Sequence, residues 1–264
     1  MDTPKEESRE GELFGELLES LGTAHEAVGD RRLTGFLAMR GRNWSRELMV
    51  VGRATNGWQH EEDCWRASDL AHSARRADVI EKVIRSVRTR DGSCPMLWVR
   101  NRWRNSGYDA EMRTSYNTAR SAFWRVTRAV VGQLNLADVD GPTWPSLLIW
   151  TNLYKVSPQD GGNPTSRLCR VQFEHCVRLL SEELSNSKPR RVLVLTGIDW
   201  AGPFLERLGV ETTPFESGVY VEARGSLRLE GGESPTLFVI SKHPQRKKEI
   251  ALTEEIVRAF TLGV

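Results

Sequence analysis

The sequence predicts an α/β fold: three layers, α/β/α, around a central, mainly parallel sheet. Three observations carry that expectation. Short apolar runs at residues 47–52 (ELMVVG), 96–99 (MLWV), 147–151 (LLIWT), 191–197 (RVLVLTG) and 237–241 (LFVIS) read as buried strands. Most are continuous rather than alternating, the pattern of a parallel sheet covered on both faces. Helical periodicity fills the intervals, and strand–helix alternation gives a sheet flanked by helices.

Taken in order, residues 1–45 read as an acidic helical segment. Residues 46–264 read as one α/β domain with an insert at about 60–118. Phe123, Val126, Val130, Val131 and Leu134 share one helical face, as do Cys169, Phe173, Cys176, Val177, Leu180 and Leu184 before a Lys188-Pro189 stop. Trp200, Phe204, Leu205 and Leu208 make a short helix ended by Gly209, and Ile256, Val257 and Phe260 line a terminal one. Segments 219–221 and 226–229 are expected to form a hairpin around Arg224-Gly225.

A chain of 264 residues that is 39% hydrophobic has enough apolar surface for a real core, which excludes a disordered tail or a disulfide-built miniprotein. No window approaches the ~18 uninterrupted apolar residues of a membrane span. The acidic start MDTPKEESREGELFGEL lacks a signal-peptide pattern, so a cytoplasmic protein with reduced thiols is expected.

The net charge of +2 hides an asymmetry. Residues 1–30 carry nine acids against two bases, a net of −7. Residues 74–128 carry thirteen bases, twelve of them arginine, against five acids, a net of +8. Trp98, Trp103, Tyr108, Tyr116, Phe123 and Trp124 are interleaved with those arginines. Such a mixture suits a nucleic-acid groove, guanidinium for phosphate and rings for exposed bases. The alternative is a solvated helical insert whose tryptophans are core.

Several chemistries lack their motifs. There is no GxGxxG, no GxxxxGK[ST] phosphate loop and no GxSxG elbow. Cys64, Cys94, Cys169 and Cys176 form no CxxC pair, and the five histidines form no HExxH, so no metal is expected.

In a wound parallel sheet, ligands sit outside the carboxyl ends of the strands. Three such ends are rich in polar groups: 52–58 (GRATNGW), 151–163 (TNLYKVSPQDGGN) and 241–248 (SKHPQRKK). In this order they resemble the uracil-DNA glycosylase superfamily. There, a glycine-led first motif holds the attacking water, a strand-end asparagine reads the flipped base, and a late His-Pro motif stabilises the departing base. The matching pieces are Val50-Val51-Gly52-Arg53-Ala54-Thr55-Asn56-Gly57, Ile149-Trp150-Thr151-Asn152 and Ile240-Ser241-Lys242-His243-Pro244. Residues 151–165 and 188–197 are most similar to the bacterial and archaeal branch that carries an iron–sulfur cluster. The resemblance covers about 45–60 and 120–250 and implies a uracil-DNA glycosylase-like fold.

The chain departs from that branch in ways that matter. Only Cys176 falls where a cluster ligand is expected, Val156 stands in place of another, and no cysteine precedes the first motif, so no cofactor is expected. Ala54 occupies the position of the aspartate found in the best-known branch, leaving the water-activating group unidentified. The aromatic residue that closes the pocket beside carbon 5 of the base is replaced by Thr55, Asn56 and Gly57, which leaves room for a 5-substituted pyrimidine. Some members with such pockets act on modified phage DNA.

The chemistry assigns the roles. Cleaving an N-glycosidic bond leaves negative charge on the base, which calls for a preorganised donor; His243, fixed before Pro244, fills that part, the alternative being a structural or surface histidine. Asn152 reads the pyrimidine edge, or else makes an Asx-type turn. Asn56 orients the water, or is simply the first residue of an Asn-Gly turn, with Glu61 and Asp63 as fallback carboxylates. Gly52, Arg53, Ala54 and Thr55 line the base site. Trp58 or Trp65 stacks on the flipped base, or packs in the core. Lys242, Arg246, Lys247 and Lys248, with Arg102 and Arg104 of the insert, grip the backbone during flipping. Loop 160–164, leading into a Thr165 or Ser166 cap, offers amides to a phosphate or is only a connection.

The expected protein is therefore a monomeric, monofunctional DNA glycosylase that excises uracil or a 5-modified cytosine, such as glucosylated hydroxymethylcytosine of phage DNA. Its expected partner is DNA and not a membrane. The competing expectations are a non-catalytic single-stranded nucleic-acid binding module on the same fold, and a small-molecule α/β enzyme with a basic surface.

Overall fold

The Leu-Met-Val-Val-Gly run forms a strand, Leu48–Gly52, in which all five residues are buried, as an inner strand covered on both faces requires. The computed structural model describes residues 4–58, 60–89, 94–103, 117–232 and 234–262, with side chains from residue 9 onward. In chain order the elements are α1 (Pro4–Thr23), α2 (His25–Val28), β1 (Leu33–Gly35), β2 (Met39–Arg40), β3 (Leu48–Gly52), α3 (Ser73–Arg88), α4 (Trp98–Asn101) and α5 (Ala122–Gln133). Then follow β4 (Leu148–Asn152), β5 (Val156–Pro158), α6 (Ser166–Ser187), β6 (Arg191–Val194), α7 (Ile198–Leu208), β7 (Glu211–Pro214), β8 (Val221–Leu227), β9 (Thr236–Ser241) and α8 (Glu249–Thr261). The protein is a mixed helix and sheet structure with a mostly parallel central sheet.

Two compact units interleave along the sequence. The first comprises Met1–Ala38, Gly52–Arg88 and Thr151–Lys188; the second comprises Met39–Val51, Thr89–Trp150 and Pro189–Val264.

In the first unit, α1 packs on α6, α3 and the 3-10 turn Ala67–Ala71, with Phe14, Leu17, Leu18 and Leu21 buried. The acidic segment is thus part of a core. Its carboxylates meet arginines: Glu10 accepts from Arg88 at 2.8 Å, Glu16 pairs with Arg178, and Glu19 lies 3.7 Å from Arg76. Two arginines of the 74–128 stretch, Arg76 and Arg88, are thus paired with acids of α1 inside this unit. Helix α6 starts where the Thr165 hydroxyl accepts the Leu168 amide and stops at left-handed Lys188 (φ 44°). Strands β1 and β5 pair antiparallel.

In the second unit, a seven-stranded sheet runs in the order β2-β4-β3-β6-β9-β8-β7, with Gly52, Thr151 and Asn152 at the ends of β3 and β4 belonging to the first unit. Strands β3, β6 and β9 are parallel, while β2, β8 and β7 pair antiparallel with their neighbours. Helix α8 packs on α5, β8 and β9, and α7 on β7 and β9. An Arg125–Glu249 pair (Nε to Oε2, 2.8 Å) ties α5 to α8. Trp98, Trp124 and Trp150 cluster with centroids 5.3–5.6 Å apart, Trp124 meeting both others edge-on.

Two expectations need correction. Residues 96–99 are not a strand but the end of a 3-10 turn (Pro95–Leu97) running into α4. Pro95 opens the turn with a fixed φ, and Trp98 packs into the tryptophan cluster. The hairpin around Arg224-Gly225 is instead the middle of one continuous strand, β8, between β7 and β9. Gly225 is small there because β7 approaches closely: a Cβ would lie 2.8 Å from Val210 Cγ1 and 2.9 Å from the Glu211 carbonyl oxygen. No helix among the described residues is long and apolar enough to cross a membrane.

Candidate functional site

In the first unit, the chains leaving β3 and β4 run on side by side. The Leu153 amide donates to the Gly52 carbonyl at 2.9 Å and the Tyr154 amide to the Arg53 carbonyl at 3.0 Å. Thr55 is buried; Ser157 Oγ donates to its carbonyl at 2.7 Å, so the Thr55 hydroxyl donates to Ser157 Oγ at 3.1 Å. Arg53 and Ala54 are partly exposed. Asn56 is exposed, and its Oδ1 accepts the Gly162 amide at 2.7 Å. Gly57 (φ 69°) carries the turn, where a Cβ would meet the Gln159 carbonyl oxygen at 2.7 Å. The 52–58 and 159–162 loops are therefore docked on each other, and Asn56 holds that dock.

Trp58 donates Nε1–H to Ser86 Oγ at 3.1 Å and meets Phe36 edge-on, while Trp65 is 1% exposed. Both indoles are packed in the first unit's core, the role opposed to base stacking in the sequence reading. Glu61 pairs with Arg32, and Asp63 lies 3.9 Å from Lys82.

Asn152 is 1% exposed, and its Nδ2 has no hydrogen-bond partner among the described residues. Its chain neighbours are fixed. Thr151 Oγ1 accepts from Lys155 Nζ at 2.7 Å and donates to Glu183 Oε2 at 2.8 Å. Lys155 Nζ also donates to both Glu183 oxygens, at 2.8 and 2.7 Å, and Glu183 Oε1 accepts the Ala38 amide at 3.1 Å. One residue further on, the Gln172 amide clamps Val156, accepting its N–H and donating to its carbonyl, both at 2.9 Å. The strand end carrying Asn152 is thus rigid, while the amide donor itself is unspent. Lys155, Glu183 and Gln172 were not singled out from the sequence. Glu183 did carry a signal, since it lies seven residues from Cys176 on the buried face of α6.

The residues around Val156 and Cys176 do not fit an iron–sulfur cluster. Cys176 Sγ accepts the Lys155 amide at 3.4 Å and donates to Gln172 Oε1 at 3.3 Å. Burial pushes its thiol up to about 12, away from the thiolate a metal needs. Burial also raises Cys169 and, beside it, the Tyr154 hydroxyl. No group of three or more His, Cys, Asp or Glu among the described residues is placed to hold a metal ion.

In the second unit, β6 and β9 end together: the Gly197 amide donates to the Ser241 carbonyl at 2.8 Å. A bulge between Val221 and Ala223 in β8 re-aims Glu222, whose Oε2 accepts the Ile198 amide at the start of α7, 2.8 Å away. A bulge leaves no mark in the sequence, and Glu222 was missed there. His243 is partly exposed, and its Nδ1 accepts the Gln245 amide at 3.3 Å. In the neutral ring this contact places the proton on Nε2. Pro244 is buried behind it, and Arg246, Lys247 and Lys248 are exposed, with no ion pair among the described residues. Lys242 instead donates Nζ–H to the Val219 carbonyl at 2.8 Å.

In the insert, Arg102 is partly exposed at the end of α4. Arg104, Tyr108 and Tyr116 lie outside the described residues. Arg75 pairs with Asp78, and Arg128 with Asp140 while resting 5.3 Å from the Trp103 centroid, so several arginines of the basic stretch are engaged within their own unit. No protein-family model and no curated protein matches the chain.

Proposed function

We propose that the chain is a DNA glycosylase with a uracil-DNA glycosylase-like α/β/α fold. In this reading it flips out a deaminated or 5-modified pyrimidine and hydrolyses its N-glycosidic bond. One observation carries the proposal: Asn152 presents a buried amide donor without a partner on a strand end whose neighbours are locked. An unpaired buried donor costs about 1–3 kcal/mol, a penalty that a ligand's acceptor would relieve. A pyrimidine carbonyl is such an acceptor.

The tautomer of His243 is the second support. An Nε2–H held by the Gln245 contact is the form that donates to a base oxygen as charge gathers there. In this reading His243 donates to the leaving base, and the exposed Arg246, Lys247 and Lys248 meet phosphates. The test is incubation with uracil-containing DNA and with glucosylated-hydroxymethylcytosine phage DNA, followed by alkali and mass spectrometry of released bases. Free base and alkali-labile sites, lost in His243→Ala, support the reading; DNA binding with no base released from either substrate sinks it.

One observation favours a second reading, binding of single-stranded nucleic acid without base release. Asn56 Oδ1 is taken by the Gly162 amide, so the side chain assigned to the attacking water is engaged in holding a loop.

A further inference from the structure

We infer that Glu222 is the catalytic residue that holds the attacking water and takes its proton, from a bulge in β8 beside the loop that delivers His243. The inference rests on the glycosylase reading above. It supplies the water-activating group, a part for which Asn56 is already engaged through its Oδ1 and the Gly162 amide.

Val221 pairs with Ser241, and the Lys242 amide donates to the Tyr220 carbonyl at 2.9 Å. The residues just before Glu222 are therefore bonded to the residues just before His243. The register then shifts between Val221 and Ala223, and Glu222 is the extra residue of that bulge. Its Oε2 accepts the Ile198 amide at 2.8 Å. Ile198 opens α7 after β6, and β9 lies between β6 and β8, two strands about 10 Å apart. The side chain thus extends over the carboxyl end of β9, the strand that leads to His243. Glu222 is half-buried, and among the described residues its carboxylate makes no second hydrogen bond and meets no cation.

Capping α7 accounts for one oxygen only. An orphan amide needs a single acceptor, and a neutral amide or hydroxyl supplies it as well as a carboxylate. Here a carboxylate spends Oε2 on the helix and keeps Oε1 at the strand ends, where ligands sit in a wound sheet. An oxygen fixed in this way accepts a proton from water. In the reaction the water oxygen bonds to C1′ of the sugar as the C1′–N bond breaks, and the electron pair of that bond leaves with the base toward the His243 Nε2–H. The water's proton passes to Glu222 Oε1 and then to solvent, while the departed base anion takes a proton from solvent. The same negative charge favours the positive sugar of the transition state.

The experiment measures single-turnover base release by the full chain from uracil-containing DNA and from glucosylated-hydroxymethylcytosine phage DNA. Affinity for a duplex with a tetrahydrofuran abasic site and the melting temperature are measured beside it. Glu222→Gln keeps an oxygen for the Ile198 amide and loses the proton acceptor, whereas Glu222→Ala loses both. Glu222→Gln is expected to slow release by about 100-fold or more. Its affinity should change less than about threefold and its melting temperature should stay that of the wild type. Glu222→Ala should be as slow and melt lower. Release by Glu222→Gln at the wild-type rate overturns the assignment and leaves the glycosylase reading standing. So does a fall in affinity or melting temperature in Glu222→Gln equal to that in Glu222→Ala, which reduces Glu222 to a helix cap. No base released by the wild type from either substrate overturns the glycosylase reading and the assignment with it.

Discussion

Lys155 and Glu183 form an ion pair with both side chains wholly buried, Nζ lying 2.7 and 2.8 Å from the two carboxylate oxygens. A buried pair adds little net stability over an apolar pair, but removing one partner strands a charge at a cost of about 3–5 kcal/mol. Lys155→Met and Glu183→Met are each expected to destabilise strongly, and the double variant by much less than their sum. A urea double-mutant cycle measures this; additive losses would show that the two charges are not coupled.

The adjoining residue should behave in the opposite way. Asn152 buries an amide nitrogen that bonds to nothing among the described residues, so deleting the side chain removes a desolvation cost of about 1–3 kcal/mol. Asn152→Ala is expected to keep or raise the melting temperature while base release is lost. A clear fall in melting temperature would mean that the amide is already satisfied in the free protein.

The contrast between these neighbours explains what the sequence could reveal. The strands at 48–52, 148–152, 191–194 and 236–241 were legible because continuous apolar runs have few other uses. The run at 96–99 is similarly apolar, yet Pro95 and the company of Trp124 and Trp150 turn it into helix, and tertiary packing of that kind has no local signature. In the sequence Gly225 reads as a turn residue, whereas its smallness answers to the approach of β7. The polar strand ends were visible as a set. The partners that fix them, Glu183 and Gln172 on α6, come from a distant element. The arginine-rich stretch was conspicuous, but composition does not tell that Arg88 meets Glu10 and Arg76 faces Glu19.

Alkaline stability should report the thiol beside this network. Burial raises Cys176 from the ordinary 9.0 to about 12, so the folded state keeps a proton that the unfolded chain releases. Its contribution is complete below pH 9 and is lost as pH rises from there toward the folded value. Within that window the slope for this one thiol is about −1.4 kcal/mol per pH unit. Urea unfolding from pH 8 upward should show a decline that is shallower in Cys176→Ala. Identical slopes would mean that another group controls alkaline unfolding.

The paired and unpaired cations should separate in a salt titration of DNA binding. Lys247 and Lys248 are exposed and make no ion pair among the described residues, so each is free to replace counterions on a phosphate. Replacing either with alanine is expected to reduce the slope of log K against log salt by about 0.9. Arg88 is committed to Glu10 at 2.8 Å, so Arg88→Ala should weaken folding and leave the slope unchanged. Lys242→Ala should lower the slope less than Lys248→Ala, because its Nζ already donates to the Val219 carbonyl at 2.8 Å. If Arg88→Ala changed the slope as much as Lys248→Ala, the phosphate contacts would have to be sought on the α3 face instead of the segment after His243.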